Sequence, residues 1–134
     1  MKTYHIVVLE DNEFYNSMLT KQLDYCAKKY EVVHDYVYDI TSFTSPKDCL
    51  RNLKEDINIA FLDYYLGDGI TAMDVIKEIK KKSPDCKIIV FSRLENEQIT
   101  NDIIANGALE FLVKDKNAFI QSGHILEDIV TGKC

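Results

Sequence analysis

Short apolar runs alternate five times with stretches of helical periodicity, and this alternation constrains the chain more than any other feature. Ile6-Val7-Val8-Leu9, Ile59-Ala60-Phe61-Leu62, Lys87-Ile88-Ile89-Val90-Phe91 and Glu110-Phe111-Leu112-Val113 read as strands, the continuous ones as strands covered on both faces. Tyr36 to Phe43 is a polar and aromatic stretch rich in β-formers, after a helix with no clear stop signal. A helix is expected from Glu13 with Asn12 as its cap, placing Tyr15, Leu19, Leu23 and Cys26 on one face. Ser45-Pro46 opens a second helix, and Val75, Ile76 and Ile79 mark a third. Ile99, Ile103 and Ala105 mark a fourth, ended by Asn106-Gly107, and a fifth runs from about Asn117 to Val130. Strands joined by single helices form a parallel sheet with helices on both faces, an α/β fold.

The 134 residues suit one domain, 1–134, with a core from about 4 to 130. The formal charge of −6 argues against direct binding of nucleic acid, which needs a concentrated basic surface. The one basic run, Lys80-Lys81-Lys82, suits the C-terminal end of the third helix. No run of 18 apolar residues exists and the first apolar stretch is too short for a signal peptide, so the expectation is a cytoplasmic protein without membrane insertion. Cys26, Cys49, Cys86 and Cys134 form no CxxC pair and read as free thiols. His5, His34 and His124 are isolated and read as structural or surface residues.

Ligands of an open α/β sheet bind beyond the carboxyl ends of the strands. Here those ends carry Glu10-Asp11, Asp63, Ser92 and Lys114. A single Asp after a strand is usually a turn residue, and a single Lys there is usually solvated; placement of the whole set at four strand ends is what gives it weight. Three carboxylates in one place repel, so at least one tends to stay protonated unless a cation joins them. Mg²⁺ takes oxygen ligands and a phosphate, and Asp63 beside it could act as a nucleophile forming an acyl phosphate. Lys114 and Ser92 would then serve the phosphoryl oxygens.

The segments HIVVLEDN, FLDYYLGDG, IIVFS and GALEFLVKD, in this order, resemble the receiver domain of two-component response regulators, over nearly the whole chain from about Tyr4 to Val130. The resemblance implies a flavodoxin-like (βα)5 doubly wound sandwich with a five-stranded parallel sheet of order 2-1-3-4-5. It implies Mg²⁺-dependent transfer of a phosphoryl group to Asp63 from a histidine of a sensor histidine kinase or a histidine phosphotransfer domain, with Mn²⁺ as a substitute metal. Glu10, Asp11, Asp63 and the backbone carbonyl of Tyr65 would hold the metal, Asp11 more directly than Glu10. Ser92 and Lys114 would bind the phosphoryl oxygens, and Phe111 matches the switch aromatic. The helix 4–strand 5–helix 5 face would then change and control a downstream effector protein, with a homodimer on phosphorylation as a further option. Such a protein catalyses only its own phosphorylation and dephosphorylation.

Several positions depart from the commonest pattern. Gly67 and Asp115 stand where proline is frequent, which implies a looser loop after Asp63 and no cis bond after Lys114. Arg93 replaces a small residue and either reaches the phosphoryl group or lies solvated. Tyr65 and Leu94 stand at positions that, in the family this chain resembles, tune dephosphorylation, and their bulk is expected to lengthen the phosphorylated lifetime. Two other readings stay open: a pseudo-receiver used as a binding scaffold, and a Mg²⁺-dependent phosphohydrolase with an aspartyl nucleophile. Tyr65 argues against the hydrolase, which carries a second Asp at that position. The chain stops soon after the fifth helix, so no output domain is expected within it, and Met1 close to the first strand favours an N-terminal place in any longer protein.

Overall fold

The computed structural model describes residues 1–133; the free thiol expected at Cys134 lies outside the described residues. The elements run β1 (Lys2–Leu9), α1 (Glu13–His34), β2 (Tyr36–Phe43), α2 (Pro46–Arg51), β3 (Ile59–Asp63), α3 (Ala72–Lys82), β4 (Lys87–Ser92), α4 (Glu97–Ala105), β5 (Glu110–Val113) and α5 (Ala118–Val130). All four strand pairings are parallel and the order is β2-β1-β3-β4-β5, the order the sequence resemblance implies. The chain leaves β1 for the edge strand β2, then returns past β1 to β3. The strand order therefore reverses at β1, and a crevice opens beyond the ends of β1 and β3.

Alternation along the strands divides the core in two. Ile6 and Val8 of β1 pack with Phe61, Ile89 and Phe91 under α1 and α5, which contribute Leu19, Leu23, Leu126 and Ile129. Val7 and Leu9 pack with Ala60, Leu62, Ile88 and Val90 under α2, α3 and α4, which contribute Cys49, Val75, Ile76, Ile79 and Ile103. Each buried Leu, Ile or Val favours folding by about 1.5–3 kcal/mol relative to exposure. The middle strands are covered on both faces, which is why they read as continuous apolar runs.

The caps lie where the sequence places them. Asn12 accepts a hydrogen bond from the Tyr15 N–H at 2.8 Å, and Ser45 accepts one from the Asp48 N–H at 3.3 Å. Helix α1 runs 22 residues and ends at Asp35, whose φ of 51° is left-handed and whose N–H donates to the Glu31 carbonyl. The lysines ending α3 bond nearby carbonyls: Lys80 reaches Cys86 at 2.7 Å and Lys82 reaches Leu53 at 3.3 Å. His5 is structural, its ring set between Asp39 at 2.6 Å and Asp56 at 3.2 Å. Cys26, Cys49 and Cys86 are free. Among the described residues no peptide bond is cis, and no helix is long and apolar enough to cross a membrane.

Two glycine settings matter later. After β3, an antiparallel bridge between Tyr65 and Thr71 closes a loop in which Gly67, Asp68 and Gly69 have φ of 80°, 54° and 73°. A Cβ at Gly67 or Gly69 would meet nothing within 4 Å. Where α1 crosses α5, a Cβ at Gly123 would lie 2.8 Å from the Cys26 sulfur.

Candidate functional site

The carboxyl ends of β1, β3, β4 and β5 bring Glu10, Asp11, Asp63, Ser92 and Lys114 to one open cleft of about 680 Å³. Every side chain expected from the sequence to form the site borders it, and Asn12, Tyr65, Arg93 and Leu94 complete its lining. Phe111 stands apart, half-buried on β5 beside the cluster that contains Ile103 of α4. Among the described residues, Glu10, Asp11 and Asp63 are the one group of carboxylates able to hold a metal, with ligand oxygens within 4.8 Å of one another.

Glu10 follows β1 directly, and its backbone is fixed there. Its N–H donates to the Phe43 carbonyl at 3.1 Å, continuing the β1–β2 ladder by one step. The Asn16 side-chain amide donates to the Glu10 and Phe43 carbonyls at 3.1 and 2.9 Å, joining the ends of both strands to α1. Asn16 is buried on the inner stripe of α1, and the sequence reading missed it. The available signal was a polar residue three positions before Leu19 on the apolar stripe.

One Glu10 carboxylate oxygen accepts from the Lys114 ammonium and the other from the Asn12 N–H at 3.1 Å. The same ammonium stands 3.1 Å from Asp63 Oδ1. Lys114 itself is held to β4 by its N–H, which donates to the Ser92 carbonyl at 2.8 Å. Glu10, Asp63 and the Lys114 side chain are all nearly sealed from solvent, whereas Asp11 is exposed.

Charge in this small volume is unbalanced, three carboxylates against one ammonium. Burial, and then the neighbouring Glu10 charge, push the Asp63 carboxyl up to about 7 despite the opposing pull of Lys114. Burial also works against the Asp11 charge, but hydrogen bonds with Glu10 and Asp63 outweigh it and hold that carboxyl below its usual value. The protonated form is therefore favoured at Asp63 and the charged form at Asp11, the pattern of crowded carboxylates without a cation.

Tyr15, read from the sequence as part of the packing stripe of α1, also reaches the site. The Lys114 ammonium lies over its ring, 4.4 Å from the centroid. Its hydroxyl is buried and has no hydrogen-bond partner among the described residues.

Residues 6–121 match the family of the response regulator receiver domain. The chain belongs to that family. Receiver domains act in two-component phosphorelay signalling, and this places the chain in that kind of pathway. The receiver is 34% identical over 92 residues to the transcriptional regulatory protein CssR of Bacillus subtilis strain 168, covering 67% of this chain and 35% of that protein. It therefore spans about a third of the length of that relative. Among solved structures, the BeF3-activated receiver domain of DrrB, a Thermotoga maritima protein, superposes with a TM-score of 0.79 at 16% identity, covering 98% of this receiver and 99% of that one. The Thermotoga maritima response regulator TrrA, solved with Mg²⁺ and a beryllium fluoride, superposes at 0.72 with 23% identity and 96% and 99% coverage. These likenesses establish the flavodoxin-like receiver fold.

Proposed function

We propose that this receiver accepts a phosphoryl group on Asp63 from a phosphohistidine of a sensor histidine kinase or histidine phosphotransfer domain. The observation that carries this reading is the convergence of Glu10, Asp11 and Asp63 with the Lys114 ammonium beyond the strand ends. An Asp63 carboxylate oxygen attacks phosphorus while the N–P bond of the phosphoimidazole breaks. The electron pair of that bond stays on the imidazole nitrogen, which takes up a proton. Asp63 becomes an acyl phosphate, and its charge of about −1.5 to −2 must be matched by cations and hydrogen-bond donors.

Three clustered carboxylate oxygens suit a hard divalent cation. Asp11, Asp63, Glu10 and the Tyr65 carbonyl would hold Mg²⁺, or Mn²⁺ in its place. When bound there, the metal supplies positive charge to the phosphoryl oxygens and relieves the repulsion among the carboxylates. Lys114 already stands beside Asp63, so a small movement brings its ammonium to the new oxygens. The Ser92 hydroxyl lines the same cleft and can donate to a second oxygen.

The output follows from β4 and β5. Ser92 pairs in register with Val113, and Phe111 with Val90 two residues back. Movement of Ser92 towards the phosphoryl group frees space into which Phe111 turns. Two charge-assisted bonds at about 1.5–3 kcal/mol each suffice to raise a state from about 1% to a majority. Ile104 on α4, Leu109 before β5 and Ile120 on α5 leave apolar surface on the face that changes, which suits a downstream effector protein or a second receiver.

Incubation with Mg²⁺ and acetyl phosphate, followed by intact-mass measurement, tests the reading. One added phosphate is expected, labile to hydroxylamine and absent from Asp63→Ala. No adduct under conditions where Mg²⁺ binds favours a pseudo-receiver scaffold instead.

A further inference from the structure

We propose that Tyr15 is a positioning residue for Lys114, its ring face forming the third wall of the pocket that holds the ammonium. The inference rests on the receiver reading of the site and adds a residue to it. The Lys114 side chain is only 7% exposed, so water does little to compensate its charge. Glu10 and Asp63 compensate it on two sides. On a third, the ammonium lies 4.4 Å from the Tyr15 ring centroid, within range of the negative face of the ring.

The ring is fixed from several directions. Its backbone N–H is tied to the Asn12 cap at the start of α1, directly after the acidic pair. Its plane leans on Phe119 of α5 with 4.9 Å between centroids, and Phe91 of β4 meets it at 6.4 Å. Packing alone is a poor account of a tyrosine here. Among the described residues the buried hydroxyl has no partner, a cost that leucine or methionine on the same stripe avoids. What a tyrosine offers and those residues lack is an aromatic face under the ammonium.

An ammonium braced by a neutral wall keeps its place when its anionic partners change. As Asp63 turns from carboxylate to acyl phosphate, Lys114 exchanges one anion for another without leaving the ring. The contact also limits excursions of Lys114 into the cleft before the phosphoryl donor arrives.

The test compares Tyr15→Phe, which keeps the face and removes the unpaired hydroxyl, with Tyr15→Leu and Tyr15→Met, which remove the face. Two readouts are used: the rate of acyl-phosphate formation from acetyl phosphate with Mg²⁺, and the NMR shifts of the Lys114 ε-methylene protons. A ring face beneath the amine moves those protons upfield, and this is expected in the parent and in Tyr15→Phe. Tyr15→Phe is expected to be phosphorylated at the parental rate and to melt no lower than the parent. Tyr15→Leu and Tyr15→Met are expected to lose the upfield shift and react about three- to thirty-fold more slowly. Ordinary ε-methylene shifts in the parent overturn the proposal without any variant. It is equally overturned if folded Tyr15→Leu or Tyr15→Met reacts at the parental rate, or if Tyr15→Phe is as slow as they are. A parent that takes no phosphate yet shows the upfield shift overturns the phosphoacceptor reading and leaves the Lys114–Tyr15 contact standing.

Discussion

The Lys114 ammonium stands 3.1 Å from Asp63 Oδ1, yet the Asp63 carboxyl is still pushed up to about 7. Burial and the Glu10 charge outweigh the lysine. The consequence for stability has a definite sign. The folded chain keeps a proton that the unfolded chain releases near 3.8, so this contribution is complete below that value and is lost as pH rises through about 7. Without metal, the parent is therefore expected to lose stability relative to Asp63→Asn between about pH 4 and about pH 7. Urea unfolding midpoints across that range measure the difference. Mg²⁺ should bind more tightly as pH rises through the same window and release a proton as it binds, which calorimetry in two buffers of different ionisation enthalpy reads directly. Affinity that is flat with pH would refute the assignment of the proton to Asp63.

Among the described residues, Lys114 is also the one ammonium in contact with two of the three carboxylates. Lys114→Met leaves buried like charges without a partner. At about pH 8 and without metal it should cost about 3–5 kcal/mol, and markedly less near pH 5, where the carboxylates take up protons. The same variant should bind Mg²⁺ more tightly than the parent, because a competing cation has gone. Denaturant titration with and without Mg²⁺ checks both effects, and weaker Mg²⁺ binding in the variant would count against the geometry.

Tyr65 and Leu94 border the cleft and are 56% and 74% exposed, so they would flank a water approaching an acyl phosphate on Asp63. The pair Tyr65→Asn, Leu94→Glu replaces apolar bulk with groups able to orient that water. The expected outcome is faster loss of phosphate after the donor is removed, by about tenfold, less than the roughly hundredfold or more of full general acid–base catalysis because these groups only orient the water. Intact-mass time courses settle the comparison, and an unchanged rate removes these residues from control of the lifetime.

At the α1–α5 crossing, Gly123→Ala forces a methyl against the Cys26 sulfur. Overpacking of this kind costs about 1–3 kcal/mol. Cys26→Ala in the same chain should recover much of that loss, while costing stability when made alone. A double-mutant cycle by thermal or urea unfolding gives the coupling, and additive effects would mean that the helices separate freely there.

Much of the fold was open to reading because buried parallel strands are written as apolar runs and because Asn12, Ser45-Pro46 and Gly107 punctuate them. The end of α1 was harder. Val32, Val33 and His34 give no stop signal, and the helix closes on Asp35, which is neither glycine nor asparagine. The first half of β1, Lys2 to His5, was also hidden, because its outer residues are exposed and break the apolar run. Strand-end positions identified Glu10, Asp11, Asp63, Ser92 and Lys114 as neighbours, since topology alone brings them together. Topology does not say which carboxylate Lys114 takes, that Asn16 ties β1 to β2, or that Tyr15 lies beneath the ammonium. Those depend on side-chain directions fixed only once α1 has docked on the sheet.

Gly67 and Gly69 on one hand and Gly123 on the other share a letter but answer opposite demands. The loop pair has empty space around it and needs only left-handed torsion, so asparagine should be a tolerable replacement there. Gly123 sits within α5 and needs only room, so asparagine is as unwelcome as any side chain. A substitution score that treats all glycines alike would misjudge both places, in opposite directions. Chirality governs the rim beside Asp63, and volume governs the seam between the first and last helices.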